Sequence, residues 1–411
     1  MKESSPWKHK IKESTSPFTP GQPVPVDLFV GRVDQIKEIQ EYIRYSANGK
    51  QENFFLSGER GIGKSSLAIF LKHLASQQNN FITLHVYLGG VTSLEGLVRK
   101  IFDELLKQTN NEKWFEKIKN LFGNYISHID LFNVSVSFTP PEDKLKGLVN
   151  NFPEALNSII QKIKDDKKGI FIILDDINGI SKTDDFANWY KSFVDTIATH
   201  YNSFPVFIML IGLPEIKDSL SNHQPSLMRI FRPIDIERIS NQEVEDFFKR
   251  AFQKINIEIE EEALKFMVKL SDGLPVVMQE IGDAVFLTDT DNVISMSDAK
   301  KGIEIAANII GKQYLDPIIY RDTKSESYIS ILRKLGDHLN ILESSFKKSD
   351  IVEQLDDNEK KVFNNFIRRM CDLNVIVYEK QKERGSYKFT NELYPIYIYL
   401  ESREYKKKKN Y

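Results

Sequence analysis

The sequence predicts an α/β fold: a parallel sheet with helices on both faces, followed by a helical unit and a small C-terminal domain of helices and a hairpin. Three observations predict it. Apolar runs of strand length recur between stretches of helical periodicity, and that alternation builds a doubly wound parallel sheet. Two of the runs, from Gly169 to Asp175 and from Pro205 to Gly212, are apolar nearly throughout, which marks strands buried on both faces. Beyond Ser240 helical periodicity takes over, until two β-prone runs at Val375–Tyr378 and Ser386–Thr390.

Composition bounds the rest. The 411 residues suffice for two or three domains with proper cores. At 41% hydrophobic and 28% charged, the chain has a globular balance. No stretch reaches the roughly eighteen apolar residues of a membrane span, and the N-terminus lacks the apolar core of a signal peptide, so the expected location is the cytoplasm. Cys371 is the one cysteine; it excludes an internal disulfide framework and reads as a packing residue of a helix. With a formal net charge of −2, any nucleic-acid contact has to be local.

Residues 1–26 are rich in Ser, Pro and Lys and show no periodicity, so they read as an extended arm in which Trp7 and Phe18 either tether or dangle. Phe29-Val30-Gly31-Arg32 follows, a short apolar loop placed ahead of the first strand where it can grip a nucleotide base. A helix with Ile36, Ile39, Tyr42 and Ile43 comes next, then the buried strand Phe54-Phe55-Leu56. Between that strand and the apolar-faced helix at Ala68–Leu71 lies Gly58-Glu59-Arg60-Gly61-Ile62-Gly63-Lys64-Ser65-Ser66. Its spacing is the phosphate-loop pattern. Backbone N–H groups of residues 59–65 face a phosphate at a helix N-terminus, where orphan donors and the dipole both favour anions. Lys64 then reaches the β- and γ-phosphates and Ser65 a magnesium ion.

Phe81–Leu88 alternates as a strand, and Ser93–Lys107 reads as a helix. His85 reads as a filled strand position, since no second ligand lies at useful spacing. Residues 110–150 read as an insertion: a helix from Trp114 to Ile126, then a β-prone run over 129–138 that is either a hairpin or a partner surface. The run ending Leu174-Asp175-Asp176 places two carboxylates at the carboxyl end of a buried strand, where ligands of open α/β sheets sit. Asp175 is placed to hold magnesium through water, and Asp176 to orient or deprotonate an attacking water. A helix over Phe186–His200 precedes the next strand. Arg229 and Arg232 stand just before an alternating strand, Ile234–Ile239; they either reach a γ-phosphate in a neighbouring subunit, Arg232 above all, or are surface ion-pair residues.

Ser240-Asn241-Gln242-Glu243 begins a helix with a capping-box pattern. A second helix covers Glu261–Leu270, and Asp272-Gly273-Leu274-Pro275 separates it from a third that starts at Pro275. This unit reads as a lid over the nucleotide. Farther on, Ser327–Gly336, Ser349–Leu355 and Asn358–Leu373 are helices, and the two β-prone runs flank a charged turn, Glu379–Gly385, as a hairpin wing. The third helix carries Lys360, Lys361, Asn364, Asn365, Arg368 and Arg369 opposite its apolar side. Over residues 320–411, 19 Lys and Arg stand against 15 Asp and Glu, a mild excess to which the tail Lys406–Lys409 contributes four. That face suits duplex DNA through Lys361, Asn365, Arg368 and Arg369, a docking protein, or solvent alone.

On these motifs the chain resembles AAA+-type P-loop ATPases, closest to the STAND and archaeal-ATPase branches and the archaeal origin-recognition initiators near them. The resemblance rests on Phe29–Arg32 as base-binding box, Gly58–Ser65 as Walker A, Asp175-Asp176 as Walker B, Arg229 and Arg232 before the last core strand, and Gly273-Leu274-Pro275 in the lid. It covers roughly 28–310, and a winged helix extends it to the end. It implies an arm (1–26), a P-loop core (27–239), a lid (240–315) whose Pro275 lies at the nucleotide, and a winged-helix domain (316–411), with ATP and Mg2+ as cofactors.

Three positions depart from the family pattern: Asp176 replaces the usual Glu, Gly212-Leu213-Pro214 offers no γ-phosphate sensor, and Val276 and Val277 follow Pro275 in place of an arginine. Each loss removes a charge or dipole from the transition state, so the expected enzyme is a slow Mg-dependent ATPase. As a function this implies an ATP-held switch that controls assembly with itself or a separate effector protein, of signalling or defence type. The alternative is an ATP-dependent DNA-binding initiator or transposition-type regulator acting through the winged helix.

Overall fold

The computed structural model describes residues 15–109, 115–122, 126–129, 135–321, 325–338, 344–379 and 383–409. Pro23–Glu237 forms one compact unit; Arg238–Tyr411, with residues up to Gln22, forms a second.

In the first unit the chain runs through α1 (Val33–Ala47), β1 (Glu52–Ser57), α2 (Lys64–Asn79), β2 (Phe81–Tyr87), α3 (Leu94–Thr109), α4 (Phe115–Phe122), β3 (Ile126–Ile129) and β4 (Ser135–Phe138). It continues through α5 (Glu142–Asn150), α6 (Phe152–Ile163), β5 (Gly169–Asp175), α7 (Asp184–His200), β6 (Val206–Gly212), α8 (Pro214–His223) and β7 (Arg232–Asp235). Five strands make one parallel sheet in the order β2-β5-β6-β1-β7. Every residue of β5 and β6 is buried, because successive side chains enter two different apolar layers. Ile170, Ile172 and Leu174 join a core with Phe55, Leu84 and the buried faces of α3, α6 and α7. Phe171 points the other way and packs on Phe207, which stacks on Phe54 at 5.0 Å between ring centres. Ile39 and Ile43 of α1 and Leu67, Ala68 and Leu71 of α2 lie outside the first core and cover this second face.

Two expectations change in this unit. The helix expected from Trp114 to Ile126 ends at Phe122, and Ile126 opens β3, which pairs antiparallel with β4; Trp114 and residues 130–134 lie outside the described residues. Phe102, Phe122 and Phe138 meet edge to face at 5.1–5.6 Å, so aromatic burial folds the insertion back onto α3. The last core strand starts two residues early, at Arg232, and leaves the sheet after Asp235. It is the edge strand, the position at which a sheet tolerates a proline such as Pro233.

The second unit contains α9 (Asn241–Gln253), β8 (Glu258–Ile259), α10 (Glu261–Ser271), α11 (Pro275–Thr288), β9 (Val293–Ile294) and α12 (Met296–Ile310). After these come α13 (Glu326–His338), β10 (Ser345–Lys347), α14 (Lys348–Val352), α15 (Asp357–Asp372), β11 (Ile376–Tyr378), β12 (Ser386–Phe389) and α16 (Leu393–Lys409). The helices α13, α14 and α15, with β10 between the first two, and the hairpin strands β11 and β12, which join β10 in an antiparallel sheet of order β10-β12-β11, form a winged helix; residues 380–382 of the expected turn lie outside the described residues. Ser240 and Glu243 complete the capping box of α9. The lysine run expected as a tail belongs instead to α16, which packs on α12 and α13 and seats the Tyr397 ring against Gly311. Of the arm, Trp7 lies outside the described residues, whereas Phe18 is 4% exposed and packs on Phe247 and Phe252 of α9 at 5.7 and 5.0 Å.

Candidate nucleotide-binding site

The loop between β1 and α2 is shaped by two glycines. A Cβ on Gly58 would lie 2.9 Å from the Ile62 side chain and 3.0 Å from the Ile236 carbonyl. Gly63, at φ 93°, caps α2 in the left-handed region that favours glycine. Lys64 opens the helix and curls back, donating to the carbonyls of Gly58 at 2.7 Å and Glu59 at 2.8 Å. Burial pushes its ammonium below the ordinary lysine value, against the pull of Asp175, with Arg60 adding to the depression.

Ser65 donates its hydroxyl to Asp175 Oδ2 at 2.8 Å. The contact follows from topology: Asp175 ends β5 with its side chain on the face covered by α2, and it is 5% exposed. Asp176 is exposed and adopts φ 59°, a left-handed conformation uncommon outside glycine, and it accepts from the Asn178 amide. The two carboxylates therefore part: one is buried against the loop and the other faces solvent.

The segment Phe29–Arg32, expected to grip a base, also lies against the phosphate-loop helix. Phe29 stacks on Phe70 of α2 at 4.6 Å, and Val30 is buried. Arg32 is 8% exposed and left-handed at φ 62°, and its guanidinium donates to the Ile62 carbonyl at 3.1 Å. That side chain braces the loop from behind. The Ser66 hydroxyl accepts from the Val24 backbone N–H at 3.2 Å, so it secures the incoming chain.

One expected residue of this unit is not brought together with these. Arg232 pairs with Phe54 near the start of β1, at the end of the sheet opposite Gly58. Its guanidinium lies 4.1 Å above the Tyr42 ring and its Nε is 3.5 Å from Glu52. Pro275 starts α11 in the second unit.

Four residues that spacing did not single out lie beside these. His85 Nε2 lies 2.9 Å from Asp175 Oδ2. Ser57, the last residue of β1, donates to Asp235 at the end of β7, and Lys217 of α8 reaches the same carboxylate at 3.0 and 3.1 Å. The Ser57 and Lys217 donors hold the Asp235 carboxyl below its ordinary range. No one-dimensional signal marks these residues, because each contact joins elements that only the fold makes neighbours.

The oxygens of Ser65 and Asp175 fit a magnesium ion, which takes one or two carboxylates and completes its shell from phosphate and water. Among the described residues no group of three or more His, Cys, Asp and Glu is arranged to hold a metal alone.

Comparison with known proteins agrees with this geometry. Residues 28–190, which include the box, the loop and both carboxylates, match the AAA ATPase domain family. An uncharacterized HTH-type transcriptional regulator of Methanocaldococcus jannaschii is 21% identical over 95% of this chain and 94% of its own. Among solved structures, the Walker-type ATPase of Pyrococcus abyssi superposes with a TM-score of 0.54 at 17% identity, covering 90% of this chain and 96% of that one. The Aeropyrum pernix ORC2 protein, solved as ADPNP–ADP complexes, gives 0.56 at 11% identity over 97% of both chains. The phosphate loop and its buried carboxylate both lie within residues 28–190, the stretch that is similar to the AAA ATPase domain family.

Proposed function

We propose that this protein binds ATP with Mg2+, hydrolyses it slowly, and uses the bound nucleotide as a switch for assembly with itself or a separate effector protein in the cytoplasm. The observation that carries the reading is the convergence of Lys64, Ser65 and Asp175 at the N-terminus of α2. The loop N–H groups and the α2 dipole receive the phosphates. Lys64 exchanges its two carbonyl partners for phosphate oxygens, and Phe29 and Val30 take the base. Ser65 and Asp175 hold the magnesium ion, which when bound neutralises phosphate charge and polarises the phosphoryl oxygens. Asp176, exposed at the strand end, orients the attacking water.

Slowness follows from what surrounds that water. β6 ends at Gly212, and neither it nor Leu213 carries a side-chain donor, so few fixed dipoles meet the developing charge. Lys64→Ala should abolish binding of a fluorescent ATP analogue and any ATP-dependent change in assembly mass. Retained tight binding would overturn the reading, and turnover above a few per second would overturn its slowness.

A second reading rests on α15. Lys360, Lys361, Asn364, Asn365 and Arg368 are exposed along one face, while Phe363, Phe366 and Met370 are buried and Arg369 is half-buried. A duplex-DNA-binding regulator is the function that face supports, in line with the name of the M. jannaschii relative. Loss of duplex binding at low salt in an Arg368→Glu, Arg369→Glu variant supports it; absence of binding by the parent protein ends it.

A further inference from the structure

His85 is a buried polar residue on a strand where β-branched or aliphatic side chains would serve packing better. It sits in β2 opposite Ile173 of β5, on the sheet face covered by α2, and is 6% exposed. Such a group is costly unless hydrogen-bonded. Its partner is Asp175 Oδ2 at 2.9 Å, the same oxygen that accepts the Ser65 hydroxyl. An ionised carboxylate can only accept, so Nε2 carries the proton in this contact. Tyr87, two residues on, stacks on the imidazole at 4.3 Å with the planes 21° apart, which fixes the direction of that N–H.

We propose that His85 is a positioning residue for the divalent ion: it locks the Asp175 carboxylate so that Ser65 and Asp175 present a preformed oxygen pair. The proposal rests on the reading that these two residues hold Mg2+ beside a nucleotide. Its chemistry is consistent with both hydrogen bonds persisting on loading. A hydroxyl can offer a lone pair to a cation while its proton stays on Oδ2, and Oδ1 remains for the water shell of the ion. Without the imidazole, the carboxylate has Ser65 as its one remaining side-chain donor among the described residues, and it is free to turn about its own Cβ–Cγ bond. Partners that orient a ligating group in this way are worth about 10–100-fold in metal affinity.

The test compares two volume-filling replacements. His85→Leu fills the site and removes the donor, whereas His85→Gln keeps an N–H of similar reach. For each, binding of a fluorescent ATP analogue is titrated with Mg2+ and repeated in EDTA, beside a thermal melt. The expected result is that His85→Leu raises the half-saturating Mg2+ concentration about 10-fold or more, leaves EDTA affinity within about twofold, and that His85→Gln recovers most of the loss. Unchanged Mg2+ dependence in His85→Leu, beside a parent protein that shows it, overturns the proposal. So does a parallel loss of affinity with and without Mg2+, which marks a packing role. A parent protein that binds nucleotide equally well in EDTA and Mg2+ overturns the magnesium reading itself, and this inference with it. If His85→Leu does not fold, His85→Gln decides: a Mg2+ dependence within about threefold of the parent supports the proposal, and a larger loss overturns it.

Discussion

At the scale of single residues, the site depends on atoms held too close for substitution. Gly58 has the Ile62 side chain and the Ile236 carbonyl within 3.0 Å of where a Cβ would stand. Gly58→Ala should therefore destabilise the first unit by roughly 1–3 kcal/mol, as overpacking does, and weaken nucleotide binding together with it. Denaturant melts and analogue titration measure the two effects. Arg32 makes a different demand, because its guanidinium takes up the Ile62 carbonyl inside the protein. Arg32→Ala leaves that buried acceptor unpaired, at a cost of about 1–3 kcal/mol. It should weaken nucleotide binding through the loop, irrespective of which base the nucleotide carries. A loss confined to adenine nucleotides would instead return Arg32 to base recognition.

At the scale of elements, α15 illustrates how a helix is fixed at its start. Asp356 accepts from the backbone N–H groups of Asn358 and Glu359, and Glu359 reaches back to the Asp356 N–H. Asp356→Ala should cost about 1 kcal/mol of stability in the second unit. Glu359 is also buried, and burial alone would raise its carboxyl. Donors from Lys334, from Ser330 at 2.6 Å and from the Asp356 N–H outweigh burial and hold it below the ordinary 4.5. A carboxyl depressed in the folded state contributes stability above its unfolded value and loses that contribution as pH falls through the folded one. The second unit should thus lose stability as pH drops below about 4.5, and Glu359→Gln should flatten that slope while lowering stability at neutral pH. Melts followed across the acid range check both.

At the scale of the whole molecule, one of the two units is closed by chain that lies far away in sequence. In the second unit Phe18 fills the hollow among Phe247, Phe248 and Phe252, and Thr19 donates its N–H to Gln279 at 2.7 Å. A Cβ on Gly282 would strike the Phe18 ring, so the helix is cut to receive it. Phe18→Ala should cost about 3–5 kcal/mol, read as a lower melting temperature of that unit. Arg238, the first residue after the core unit, donates to Asp272 and to the Thr390 carbonyl at 2.6 Å, which ties the turn before α11 to the end of β12 within one body. No helix among the described residues is long and apolar enough to cross a membrane.

The features legible in the sequence are those whose cause lies within a few residues. The phosphate loop is one, since Gly58, Gly63, Lys64 and Ser65 must follow one another to wrap an anion at a helix start. Others are the apolar run ending at Asp175-Asp176, the capping box at Ser240 and the three helices before the wing, each written in local spacing. Sequence patterning by itself thus determined the α/β class, the order of the elements and the place of the phosphate-loop motif between β1 and α2. Only the tertiary structure decided that His85 serves Asp175, that Arg32 turns inward, that Arg232 settles on Tyr42 and Glu52, and that Phe18 and the final lysines belong to packed elements. The reason is physical. Which side chains meet across a sheet is set by strand order and register, and these arise from long-range pairing and burial that local periodicity does not encode.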